Sequence, residues 1–393
     1  MSSAVKTGTR PQTLRAVSLA VLLALTGGAS ACAPAGTEDD GQTVTVGLSA
    51  AFSGKSAYYG QDAEKGIALA IEHLGQSMPE VTFRLVTADD ECSPQGGAAA
   101  FRKLADVDGV DAILGSPCSS GTLGGMPTLA RSKTPAVTFG STNAKISQQS
   151  GVGGNPYMWR MNIDDSIMGR YWTRYIADAG RKRAAILAAN NDFGRGAVDL
   201  YRKLLPEAGV ELVATEFYDL GASDLRAQLA KVRAADPDAF VTFAEPPDCA
   251  QLLRQMRETG MTVPVYGRGG CATAEGIRLT GDPTLAEGVQ EATYWTATDA
   301  QRPLLDGYRA RYGQEVPPYN AALAYYGMLT LAEAVRHGGT DRAGILAGLA
   351  KVDFTTGIGP VRFDDHHQAH PNMFILRVEG GKIRVLDVVD TSR

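Results

Sequence analysis

Apolar and polar positions along this chain switch repeatedly between a period of two and a period near 3.6. Residues 43–48 alternate as a strand does, and residues 61–74 place Ile67, Ala70, Ile71 and Leu74 on one helical face. A strand at 81–86 follows, then a helix at 95–106 with Phe101 and Leu104 inward. A short apolar strand at 112–114, a helix at 122–131 and a strand at 136–139 complete the run. The order β-α-β-α-β-α-β predicts a parallel sheet covered by helices on both faces.

After an extended bridge at 157–161 the order restarts. Helices are expected at 165–179, 194–205, 224–234 and 248–259, and strands at 184–188, 210–217, 239–243 and 263–266. A second bridge covers 288–297. Helices at 303–312, 319–336 and 341–352 have little strand between them and are expected to complete one of the earlier lobes. Segments 361–363, 373–378 and 383–388 alternate like a closing antiparallel set. The expectation is an α/β chain with two Rossmann-like lobes about a ligand cleft, joined by three crossings near 158, 296 and 358. Lobe 1 would be 43–158 plus 297–357, and lobe 2 would be 159–296 plus 358–393.

The N-terminus changes the picture of where the chain works. Lys6, Arg10 and Arg15 precede an apolar run at 16–25, too short to span a bilayer comfortably. Small residues then lead to Cys32 and resemble a bacterial lipobox, with Ala29 where Leu is usual. A lipoprotein signal peptide over 1–31, a lipid anchor at Cys32 and a tether over 32–42 are expected, which places the protein outside the cytoplasmic membrane. Net charge is −5, and the first 31 residues carry those three bases and no acid, so the body is more acidic still. That argues against nucleic acid as a partner.

Of five cysteines, Cys32 is the expected anchor. Cys92, Cys118, Cys249 and Cys271 remain, an even number in an oxidising compartment. Four cysteines allow three pairings, with buried free thiols as the alternative. The local pairing, Cys92–Cys118 and Cys249–Cys271, joins strand ends one βα unit apart and is the one expected.

The candidate chemistry lies at two neighbouring strand ends, Gly115-Ser-Pro-Cys-Ser-Ser-Gly121 and Gly140-Ser-Thr-Asn143. Small and hydroxyl residues there make a cradle of N–H and O–H donors that holds a carboxylate without a cationic side chain. Ser and Thr are also common in plain turns.

Several stretches resemble the type I periplasmic solute-binding proteins, in particular the Leu/Ile/Val-binding group of branched-chain amino acid ABC transporters. They are Gly47-Leu-Ser-Ala-Ala-Phe-Ser-Gly54 with Tyr59-Gly60, Asp89-Asp90-Glu91-Cys92, Cys118-Ser119-Ser120, Asn191-Asp192-Phe193-Gly194, Leu252-Leu-Arg-Gln-Met-Arg257 and Ile358-Gly-Pro-Val-Arg-Phe-Asp364. The resemblance implies that Ser119, Thr142 and the backbone of Ser141 hold the α-carboxylate of a small solute, and that Tyr59 and Phe193 line the cleft. It implies hinge closure, an ABC permease as partner, a monomer, and no catalysis or cofactor. The chain departs from that pattern in three places. Phe193 stands where Tyr is usual, Glu245 where Tyr is frequent, and Gly269 where the acid for the amino group is expected. Glu245 is the candidate replacement, while Arg268 would favour an additional anionic group. A ligand-sensing receptor component and a binder of other carboxylates are the alternatives.

Other chemistries are weaker. Gly267-Arg-Gly-Gly-Cys-Ala272 fits G-x-G-x-x-A, but late in its lobe rather than at a first βα turn. His366, His367 and His370 read as a polar turn rather than a metal site. Pro117-Cys-Ser-Ser-Gly121 lacks the first Gly of a nucleophile elbow, and no His stands at a matching strand end.

Overall fold

The computed structural model describes residues 42–392. The expected signal peptide, the Cys32 anchor and the tether up to residue 41 lie outside the described residues. Gln42, expected at the end of the tether, already pairs with Val81 in the first sheet.

The first sheet contains β1 (Gln42–Ala50), β2 (Val81–Asp89), β3 (Ala112–Gly115), β4 (Ala136–Thr138) and β5 (Met158–Arg160). All are parallel, in the order β2-β1-β3-β4-β5. Helices α1 (Tyr58–Ser77), α2 (Pro94–Arg102), α3 (Ser119–Ser132) and the short α4 (Lys145–Gln148) connect them. Both β3 and β4 are buried along their whole length, as a parallel sheet covered on two faces requires.

The second sheet begins with β6 (Arg183–Ala189), β7 (Glu211–Tyr218), β8 (Ala239–Phe243), β9 (Val265–Gly267) and β10 (Gln290–Thr293). Helices α5 (Asp165–Asp178), α6 (Asp192–Glu207), α7 (Arg226–Ala234), α8 (Pro246–Glu258) and α9 (Ala274–Leu279) surround these strands in sequence. Next come α10 (Arg302–Tyr312), α11 (Tyr319–Gly338) and α12 (Arg342–Leu349), and these return to the first layer. There α11 lies against α1 so closely that a Cβ on Gly66 would fall 1.9 Å from the Ala321 carbonyl oxygen.

A hairpin of β11 (Asp353–Thr356) and β12 (Gly359–Arg362) forms its own two-stranded sheet. The final pair, β13 (Met373–Glu379) and β14 (Lys382–Val389), adds antiparallel to the second sheet, whose order is β14-β13-β10-β9-β8-β6-β7.

One expectation is corrected here, and two expected lobe boundaries fall within structured elements. Segment 361–363 does not join the closing set, because the turn at Gly357 and Ile358 folds 359–362 back onto 353–356. A lobe boundary at 357/358 would therefore cut a hairpin. The boundary at 158/159 falls inside β5, where Trp159 and Arg160 pair with Val137 and Thr138.

The end of β5 is bound to the segment just beyond β12: Arg160 bridges to Gln368, within a turn that Phe363 and Ala369 close on themselves. The Arg160 guanidinium is buried and donates to Gln368 Oε1 at 2.6 Å, to the Asn143 carbonyl at 2.8 Å and to Asp164 Oδ2 at 3.0 Å. It also reaches the Ser147 hydroxyl. Trp159 stacks on His367 at 3.5 Å. Among the described residues no His/Cys/Asp/Glu cluster could hold a metal, and no helix is long and apolar enough to cross a membrane.

Candidate functional site

In each sheet the strand order reverses at the strand next to one edge, β1 in the first and β6 in the second. Loops after the carboxyl ends of strands flanking such a point form a crevice. Here the two crevices face each other.

On the first sheet, β3 leads into α3, whose first residue is Ser119. Ser119 Oγ accepts from the backbone N–H of Thr142 at 3.3 Å and of Asn143 at 3.2 Å, which joins the two donor loops. The Ser116 carbonyl braces them from below, accepting from Thr122, Thr138 and Ser141 hydroxyls. Cys92 and Cys118 form a disulfide with Cα atoms 5.4 Å apart, fixing the start of α3 to the loop after β2. Beneath it, Asp90 accepts from Ser49 and from the Cys92 N–H, and burial raises its carboxyl above the usual range.

On the second sheet, Asn191 caps α6 at the Gly194 N–H and sets Phe193 at the cleft. Glu245 precedes the two prolines that open α8. The loop after β9 carries Arg268 and Gly269. Glu291 from β10 accepts from the Ala272 N–H at 2.7 Å, and the Cys249–Cys271 disulfide pins the same loop with Cα atoms 5.3 Å apart. Both disulfides are the pairs expected from the sequence.

The layers meet over a cavity of about 50 Å³. Several hydrogen bonds span the cleft. Asn143 Nδ2 donates to the Asp192 carbonyl at 2.6 Å, and the Asp192 N–H to Ser120 Oγ at 3.4 Å. Lys55 Nζ donates to the Gly221 and Leu220 carbonyls at 3.0 and 3.3 Å. The Tyr59 hydroxyl donates to Glu245.

Of the residues expected at the site, Tyr59, Ser119, Thr142, Phe193 and Glu245 line this cavity. Ser141 does not. Its hydroxyl turns inward to Ser116 and Thr122, and its N–H lies 3.3 Å from Thr138 Oγ1.

Arg268, Tyr294, Tyr319 and Asn320 also line the cavity. Tyr294 donates to the Gly140 carbonyl at 3.0 Å. Asp165, at the start of α5, lies behind them, accepting from Thr142 Oγ1 at 3.0 Å and from Arg268 Nη2 at 3.2 Å. In the sequence Asp165, Tyr294, Tyr319 and Asn320 read only as helix starts or bridge aromatics, while Arg268 stands out as a charge that would favour an additional anionic group.

Burial raises the Glu245 carboxyl to about 7 against the donated Tyr59 hydrogen bond, with Asp248 pushing the same way. Burial raises Asp165 to about 6, and Arg268 opposes the shift. Burial works against the Arg268 charge, but Asp165 more than offsets it and the guanidinium stays protonated. The cavity therefore offers one compensated ion pair, one acid poised near neutrality, and a set of neutral donors.

Facing strand ends around a cavity lined by polar and aromatic residues define a cleft-type solute-binding protein. Comparison with known proteins agrees with that class. Residues 43–382 match the family described as periplasmic binding protein. The chain is 29% identical over 249 residues to an amino acid binding protein of Pseudomonas aeruginosa, covering 63% of this chain and 66% of that one. It is 23% identical over 327 residues to the leucine-, isoleucine-, valine-, threonine- and alanine-binding protein of the same organism, covering 82% and 86%. Among solved structures, the branched-chain amino acid transporter substrate binding protein LivJ of Streptococcus pneumoniae, in complex with isoleucine, superposes with a TM-score of 0.79. Its identity is 24%, with 88% of this chain and 99% of that one covered. A solute binding protein of an R. palustris ABC transporter, in complex with benzoate, gives 0.80 at 18% identity, covering 88% and 96%.

The chain belongs to the periplasmic binding protein family.

Proposed function

We propose that the chain is the solute-capturing component of an ABC importer, working as a monomer outside the cytoplasmic membrane and held there by lipid on Cys32. Its solute is a small amino acid. The α-carboxylate docks on the Ser119 hydroxyl and the neighbouring N–H groups, and the ammonium pairs with Glu245. The observation that carries this reading is the placement of a neutral donor cradle on one layer opposite a buried acid on the other that has no salt bridge among the described residues. An ammonium brought beside Glu245 would favour its ionised form.

Lobe 1 is taken as 42–160 with 297–362, and lobe 2 as 161–296 with 363–393. Capture is a population shift. A solute touching both layers favours the closed arrangement by its differential contacts alone. The names of the relatives make leucine, isoleucine and valine the first ligands to test, and the benzoate complex makes amine-free carboxylates the contrast.

The experiment is a thermal shift on residues 33–393 with single amino acids and with their 2-oxo acids. A ligand at about 100 times its Kd adds roughly 2.7 kcal/mol of stability. Stabilisation by amino acids and not by 2-oxo acids supports the reading. The reverse pattern makes the protein a carboxylate binder and removes Glu245 from the ammonium role.

A further inference from the structure

Arg268 is 3% exposed and lines the cavity. Its guanidinium makes one hydrogen bond among the described residues, Nη2 to Asp165 at 3.2 Å, and its Nε is buried without a partner. The Phe193 and Tyr294 rings lie 5.9 and 5.5 Å from Cζ and hold the fork in place. A guanidinium carries five N–H donors, and leaving them unmet in a buried site is costly. The cavity wall around it is poor in aliphatic surface, since Pro117 and Leu220 are its only aliphatic side chains. A branched hydrocarbon would meet hydroxyls, amides and aromatic faces there, and would leave the Arg268 donors idle.

Resting on the amino acid reading above, we propose that Arg268 contacts the solute directly and selects an amino acid whose side chain ends in an uncharged carbonyl, as a carboxamide does. The side-chain oxygen accepts from the idle N–H groups of the fork. Asp165 already balances the Arg268 charge, so a side-chain carboxylate would bring an uncompensated negative charge into a closed cavity that also holds Glu245. A site built to hydrogen-bond one group discriminates strongly against analogues that lack it.

The test is calorimetric titration of the wild-type chain and of Arg268→Lys, which keeps a cation opposite Asp165 but removes the fork. The ligands are asparagine, glutamine, leucine, valine, aspartate, glutamate and 2-oxoisovalerate. The wild type is expected to bind at least one carboxamide amino acid about tenfold or more tighter than the aliphatic and acidic ones. Arg268→Lys is expected to reduce that preference to below about threefold. If Arg268→Lys does not fold, Arg268→Gln with Asp165→Asn removes both charges together and serves instead, with the same expected loss. Tighter binding of leucine, valine, aspartate or glutamate than of both carboxamides overturns the inference and leaves the amino acid reading standing. A carboxamide preference unchanged by the substitution also overturns it. Binding of no amino acid overturns the reading beneath it.

Discussion

Thr142 Oγ1 donates to Asp165 Oδ2 at 3.0 Å, so its proton is committed and what the hydroxyl offers a solute is a lone pair. Ser119 Oγ is in the opposite position. It accepts from two backbone N–H groups and keeps its own proton to donate. The two hydroxyls expected to act alike on a carboxylate are thus divided between donor and acceptor.

Ser119→Ala should weaken every carboxylate ligand by about 1.5–3 kcal/mol, because one charge-assisted bond is lost. Thr142→Val should weaken an amino acid more than its 2-oxo acid, since only the former carries an N–H to meet the lone pair. Calorimetry with each pair of ligands reads both effects. An equal loss for both ligands in Thr142→Val would remove the acceptor role.

Glu245 makes the ligand-free protein sensitive to pH. Its folded-state value is raised to about 7, so between the ordinary carboxyl range near 4.5 and about 7 the folded form retains a proton that the unfolded chain has lost. Stability is then greatest below that window and falls as pH rises through it, by on the order of 3 kcal/mol at most. Asp165, raised to about 6, acts with the same sign. Thermal melts from pH 4.5 to 8 should show a steeper fall for wild type than for Glu245→Gln. Parallel profiles would count against the buried acid.

The buried Arg160 network ties the end of β5 to the segment after β12. Arg160→Met should cost about 3–5 kcal/mol, because Asp164 is left buried without its cation. Urea denaturation midpoints measure this, and a loss under about 1 kcal/mol would reduce Arg160 to a packing residue.

Lys55 reaches across the cleft to the Leu220 and Gly221 carbonyls from an exposed position, so its contribution is small. Lys55→Ala should raise Kd by no more than about fivefold, chiefly through faster release. Stopped-flow dissociation rates are the measurement. A change in association rate with unchanged release would mean that Lys55 steers the solute rather than holding the closed form.

The alternation and helical faces of residues 43–139 and 184–266 made both sheets legible, because short apolar or alternating strands flanked by amphipathic helices leave a strong pattern. Hairpin 353–362 was not legible, since Asp353-Phe-Thr-Thr356 is short and only half-buried. The donor loops were readable from small and hydroxyl residues at strand ends. Arg268 drew notice as a charge near a strand end, but its buried pairing with Asp165 depends on two residues 103 positions apart in the chain. Ser141 was expected to offer its backbone, and the inward turn of its hydroxyl, set by the Ser116 carbonyl beneath the loop, could not be read from the sequence.

Each wall of the cleft carries one cystine at the root of a binding loop. Neither bond joins two strands of a sheet, so a sample prepared in a reducing cytosol is expected to keep most of its secondary-structure signal while each loop loses its tether. For this protein the proof of a correctly made sample is therefore thiol titration together with ligand binding, and secondary-structure content is a poor substitute for either.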